Sequence, residues 1–226
     1  MKVLILEGLD NVGKSTIAEA LMIKYKGKYN IMFMHSCSPQ HQESMDPLTY
    51  QGIEFYMKAD TAAYMAMYEE EKNPYLPANL QHPLSETLCI FDRSWVDEYV
   101  YGQIYRNESY WEILLMITKC FETLTRPEAV LENMKVSIVH LDASPEFSIK
   151  KDDGKSFTSD IAEDNAKLEQ VRKEKELFLE VFKYCKEKNL CNVITVNVQQ
   201  DEDNYKPTQE IVNEIERELK LVGIEL

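Results

Sequence analysis

Short apolar runs alternate along this chain with longer segments of helical period. The first run, Val3 to Leu6, contains no polar position, and comparable, almost wholly apolar runs recur at 31–35, 88–91, 136–141 and 193–198. A strand with one wet face alternates apolar and polar residues, whereas a strand covered on both faces does not. These five runs are therefore predicted as strands of a parallel sheet with helices on both sides. The spacing between them predicts helices over 15–26, 48–71, 95–105, 110–125, 161–187 and 208–222. The last places Ile211, Val212, Ile215, Leu219 and Val222 on one face, with Pro207 just before its start. Ser109-Tyr-Trp-Glu112 has the form of a capping box and restarts a helix after a break at Asn107. The expected fold is α/β, three-layered, with a five-stranded parallel sheet flanked by helices. Ligands of such sheets bind at the carboxyl ends of the strands. The chemistry is therefore expected just after Leu6, His35, Phe91 and Leu141.

Gly8-Leu9-Asp10-Asn11-Val12-Gly13-Lys14-Ser15 fits G-x-x-x-x-G-K-[ST], follows a predicted strand and opens a predicted helix. Gly8 and Gly13 let the backbone curl so that successive N–H groups converge on an anion. The helix start adds its positive dipole end. Lys14 brings a point charge to the β- and γ-phosphates, and the Ser15 hydroxyl is a ligand for Mg²⁺. Residues 8–16, Thr16 included, are the expected nucleotide-binding loop, with ATP and Mg²⁺ as the cofactors.

Asp92-Arg93 ends the apolar run Leu88-Cys-Ile-Phe91 at the rim where ligands sit. Asp92 can hold the water shell of Mg²⁺ or take a proton from an attacking hydroxyl. Arg93 can bridge phosphates bidentately. No Asn-Lys-x-Asp guanine reader occurs, which argues against a GTPase. The stretch Lys150-Lys151-Asp-Asp-Gly154-Lys155 is polar, charged and glycine-containing, as segments that close over phosphates are.

Charge narrows the partners. Over 226 residues, 39 acidic side chains face 25 basic ones, a net charge of −14. Such a surface repels nucleic acid and anionic lipid at long range but tolerates a small basic pocket for a nucleotide. No apolar run approaches the roughly 18–20 residues needed to span a bilayer. The initial apolar run is too short for a signal peptide. A cytoplasmic protein acting on a small nucleotide is expected, with room for a homodimer. The five cysteines are scattered without Cys-x-x-Cys spacing and read as reduced thiols. The four histidines have no ligand spacing, and His35 and His140 read as structural.

Taken together, the stretches EGLDNVGKST, the Ala-Asp pair in YMKADTAAYM, FDRSWVDEYVYG, LDASPE and DDGKSFTSDIAED resemble the thymidylate kinase-like P-loop nucleoside and nucleotide kinases. The likeness is greatest to the divergent bacteriophage members and covers about the first 190 residues. It implies one P-loop kinase domain over 1–226 with a mobile lid near 148–164. It implies that Asp10 orders Mg²⁺ water or the acceptor sugar and that Asp92 is a Walker-B-like carboxylate. It also implies that Arg93 contacts the acceptor phosphate or the transferring group, and that Tyr101 flanks the sugar and excludes purine ribonucleotides. Relatives lacking an arginine in the P-loop take catalytic cations from the lid, so Lys150, Lys151 and Lys155 are candidates here. The activity implied is transfer from ATP to a deoxynucleoside monophosphate such as dTMP. A deoxynucleoside kinase, a polynucleotide 5′-kinase and a nucleotide-binding regulator are the alternatives.

The chain departs from that pattern on the acceptor side. After Ala59-Asp60 the family carries an arginine that grips the acceptor phosphate, and here Thr61 stands in its place. His35-Ser-Cys-Ser38-Pro39 replaces an Arg-Glu-Pro stretch, and Asp97-Glu98 follows the Asp-Arg pair where a serine is expected. Arg106 is a candidate to restore the lost charge, or a surface residue. Asp60, Thr61, Arg93, Tyr101 and Arg106 are the expected acceptor-binding residues.

Overall fold

The computed structural model describes residues 2–35, 87–125, 135–151 and 161–226. The helix expected over 48–71, with Asp60 and Thr61, lies outside the described residues, as does Lys155 of the expected lid. The described chain runs β1 (Lys2–Glu7), α1 (Lys14–Tyr25), β2 (Asn30–His35), β3 (Thr87–Asp92), α2 (Asp97–Tyr105), α3 (Tyr110–Thr125), β4 (Lys135–Asp142), α4 (Pro145–Lys150), α5 (Ile161–Glu187), β5 (Asn192–Asn197) and α6 (Thr208–Leu221).

Among the described residues the strands form one parallel sheet in the order β2-β3-β1-β4-β5. All six residues of β3 are buried, as are Val3 to Leu6 of the central strand β1. That is why neither run alternates in sequence: both faces carry helices. On one side α1 packs against α6 and the sheet; α2, α3, α4 and α5 make a second set, with α5 as its hub. In α6 the predicted apolar face is buried through Ile211, Val212, Ile215 and Leu219, while Val222 falls at the frayed end. The register matters for function. Leu6 and His35 both pair with Asp92, and Glu7 pairs with His140, so four chemically active side chains reach one rim.

Two local differences from the predicted elements have simple causes. The helix expected from Trp95 begins at Asp97. Trp95 is fully buried, edge-on to Phe91 at 6.1 Å and to Phe121 at 5.6 Å. Its segment is a tight turn with i to i+3 bonds from Asp97, Glu98 and Tyr99 to Ser94, Trp95 and Val96. The stretch after Leu141, expected to lead directly into the lid, first forms the short helix α4. Ser144 caps it by accepting from the Phe147 N–H at 3.2 Å, and Pro145 occupies its first turn.

Candidate active site

The loop between β1 and α1 is shaped by three residues in left-handed conformations: Gly8 (φ 143°), Asn11 (φ 57°) and Gly13 (φ 85°). At Gly8 the need for glycine is also steric, since a Cβ there would lie 2.5 Å from the carbonyl oxygen of Leu141. The loop is thus wedged against the end of β4. Leu9 and Val12 are buried beneath it, while Ser15 and Thr16 are exposed at the start of α1. Lys14 folds back over the loop and donates to the carbonyls of Gly8 at 2.9 Å and Leu9 at 2.6 Å. Burial, then the nearby Arg93 cation, lowers its pKa to about 8.

At the end of β3, Asp92 accepts from the Ser15 hydroxyl at 2.5 Å and meets His35 Nδ1 at 2.9 Å. Two oxygens, one hydroxyl and one carboxylate, thus sit side by side next to the phosphate loop. Among the described residues no cluster of three or more ligand side chains is built for a metal. A hydroxyl–carboxylate pair suits Mg²⁺, a hard cation that keeps several waters and rides on substrate phosphates.

Arg93 sits at φ 70°, a costly conformation for a long side chain, with its N–H bound to Leu6 O at 3.1 Å. This turn aims the guanidinium back across the loop, where it pairs with Asp10 and, at 3.4 Å, with both Asp97 and the Tyr101 hydroxyl. Burial works against the Arg93 charge, but Asp97, Tyr101 and Asp10 outweigh it and raise its pKa. Tyr101 is fully buried, stacked on Tyr105 at 6.0 Å and edge-on to Phe178 at 6.2 Å, so it forms a fixed wall. Arg106 lies farther along and is mostly buried between Glu98 and Glu108.

Beneath Arg93 lies a pair of acids that sequence spacing does not connect. Glu7 is fully buried at the end of β1 and accepts from the Ser94 hydroxyl at 2.8 Å. Its other oxygen and Asp97 Oδ1 are both buried without a hydrogen-bond partner if both groups are ionised. Burial first, and then Asp97, push the Glu7 pKa well up. Glu7 therefore keeps its proton in the fold.

Of the lid residues described, Lys150 pairs with Asp203 Oδ1 at 3.2 Å and Lys151 donates to Asp203 O at 2.6 Å. Lys151 also stands over the rings of Phe147 and Tyr205, at 5.4 and 5.1 Å. Both lysines therefore rest on the loop before α6 rather than on the phosphate loop. The side chains that the sequence reading does not single out are Glu7, Ser148 and Tyr205, while Asp97 enters it only as a departure from the family pattern. Glu7 stood inside the quoted motif; the helix-start signal Ser144-Pro145 was the only local hint of where Ser148 would lie.

A curled, lysine-capped loop between the central strand and the first helix of a parallel sheet has the geometry of a phosphate-binding P-loop. No family model matches the chain, and no curated protein matches it. Among solved structures, it is similar to deoxyadenosine kinase from M. mycoides with bound dCTP, at 16% identity, covering 99% of this chain and 100% of that one, with a TM-score of 0.48. The same enzyme with the products dCMP and a flexible dCDP bound gives 16% identity, the same coverage and a TM-score of 0.45.

Proposed function

We propose that the chain transfers the terminal phosphoryl group of ATP to the hydroxyl of a deoxynucleoside. The observation that carries this reading is the charge around the two acceptor-side guanidiniums. Arg93 is flanked by Asp10 and Asp97, and Arg106 by Glu98 and Glu108. Neither cation is in surplus. A monophosphate would bring about two negative charges into a region already rich in carboxylates, whereas a neutral nucleoside would not. Transfer to a deoxynucleoside monophosphate is the second reading, favoured by the resemblance of the P-loop and Asp-Arg stretches to thymidylate kinases.

The residues divide the work as follows. N–H groups of the loop and Lys14 hold the donor phosphates. Ser15 and Asp92 would hold Mg²⁺, which neutralises phosphate charge when bound. Arg93, fixed by its backbone turn, reaches the gap between donor and acceptor and can follow the transferring group with a bidentate contact. Tyr101 limits the room beside the sugar, which supports a deoxyribose. The Glu7 carboxyl is buried beneath Arg93 and keeps its proton, so the receiver for the proton of the attacking hydroxyl is a carboxylate at the rim, Asp92 or Asp10.

The test is an ATP-consumption screen with single deoxynucleosides and single deoxynucleoside monophosphates. Turnover with a nucleoside above that with its monophosphate is expected. The reverse order would establish the second reading, and no turnover with any acceptor would leave a nucleotide-binding regulator.

A further inference from the structure

Four consecutive carbonyls of the phosphate loop each accept a hydrogen bond from a side chain. Lys14 takes those of Gly8 and Leu9. The Asp10 carbonyl accepts from the Ser148 hydroxyl at 2.7 Å, and the Asn11 carbonyl accepts from the Tyr205 hydroxyl. The last two donors come from α4 and from the segment before α6, far away in sequence.

In a planar trans peptide the C=O of one residue and the N–H of the next point in opposite directions. Fixing the Asp10 carbonyl therefore fixes the N–H of Asn11, and fixing the Asn11 carbonyl fixes the N–H of Val12. The two hydroxyls hold the peptides on the carbonyl sides of Asp10 and Asn11, flanking the left-handed Asn11 at φ 57°, a conformation that asparagine adopts more readily than most non-glycine residues. The two donors are themselves braced. Ser148 is buried on the helix that Ser144 caps, and Phe147 beside it meets the Tyr205 ring edge-on at 4.8 Å. The Tyr205 ring also lies 3.9 Å from where a Cβ on Gly13 would stand, so it runs along the outside of the loop.

We infer that Ser148 and Tyr205 are positioning residues that aim the N–H groups of Asn11 and Val12 at the donor phosphates. This rests on the reading of the loop as the ATP site. It makes α4, the element leading toward the expected lid, a structural part of the phosphate site. Neither residue touches the reacting atoms. Their effect reaches the nucleotide through two peptide planes.

The experiment compares ATP binding by calorimetry, together with steady-state kinetics, in the wild type, Ser148→Ala, Ser148→Thr, Tyr205→Phe and the Ala/Phe double variant. Each single loss of a hydroxyl is expected to weaken ATP binding about three- to ten-fold, the usual range for one hydrogen bond. Donor KM should rise while acceptor KM stays put, and Ser148→Thr should recover most of the loss. A double variant that binds ATP within two-fold of the wild type overturns the inference, whether or not its melting temperature has fallen. Tyr205→Phe removes only an oxygen from a half-buried ring, so it decides the matter even if Ser148→Ala does not fold. A wild-type protein that binds no ATP removes the functional reading and this inference together.

Discussion

Ser15 Oγ and Asp92 Oδ2 stand 2.5 Å apart, although they are 77 residues apart in the chain. The bond ties the first turn of α1 to the end of β3 and puts two hard oxygens beside the phosphate loop. Ser15→Ala is therefore expected to raise the Mg²⁺ concentration needed for half-maximal activity, and Asp92→Asn to lower kcat by about 10²–10⁴. Titrating activity against free Mg²⁺ checks both. An unchanged Mg²⁺ midpoint in Ser15→Ala would assign that hydroxyl to holding Asp92 alone.

The lowered pKa of Lys14, about 8 with burial as the main cause, predicts a pH-dependent donor affinity. On the proposed function, ATP binds the ammonium form and raises the pKa again. Above pH 8 the empty site has lost this proton, so binding must recover it. ATP affinity should fall about ten-fold between pH 7 and pH 9, with proton uptake at the upper end. Calorimetry in buffers of different ionisation enthalpy measures that uptake directly. In the folding equilibrium the sign is opposite to that of a stabilised lysine: between about pH 8 and 10.5 the unfolded chain holds more protons, so Lys14 contributes stability that grows as pH rises.

Arg106 links α2 to the turn before α3. Its guanidinium has Glu98 and Glu108 as partners, and Gly102 leaves no room beside them, since a Cβ there would come within 2.5 Å of Glu108 Oε2. Glu98 is raised to about 7, burial outweighing the opposing Arg106 charge. Arg106→Ala is expected to destabilise the fold by about 3–5 kcal/mol, because it strands two buried carboxylates. Urea unfolding measures the loss, and Glu98→Gln in the same background should restore part of it. A variant with wild-type stability and only a raised acceptor KM would instead return Arg106 to the acceptor site.

The parts of this site that were legible in the sequence are those whose chemistry is local. Eight contiguous residues carry the phosphate loop, and a wholly apolar run ending in Asp92-Arg93 marks a buried strand with its tip at the rim. The unread parts depend on register and on long-range contact. Glu7 meets Asp97 only because β1 lies next to β3 in a parallel sheet. Ser148 and Tyr205 act on backbone carbonyls 138 and 194 residues away, which no spacing rule connects. Lys150 and Lys151 were legible as a charged pair, but their resting place on Asp203 was not, because an exposed lysine's position is set by which partner is near and not by sequence pattern.

Glu7 offers the sharpest separation of fold from chemistry. It is fully buried, and its carboxyl is pushed well above the usual carboxylate range by burial and by Asp97. A carboxyl that keeps its proton in the fold but loses it in the unfolded chain makes the folded state weaker as pH rises. That decline begins near the unfolded value of 4.5 and continues up to the raised folded value. Glu7→Gln mimics the protonated form and removes this penalty. The variant is therefore expected to be as stable as the wild type near pH 5 and more stable than it near pH 8, by urea unfolding at the two pH values. Because Glu7 already carries its proton and is buried away from the rim, kcat and ATP affinity should both stay close to those of the wild type. A kcat lowered a hundred-fold or more in Glu7→Gln would instead place Glu7 on the proton route. Loss of stability at every pH would show instead that Glu7 is ionised in the fold and held by Ser94 and Lys14.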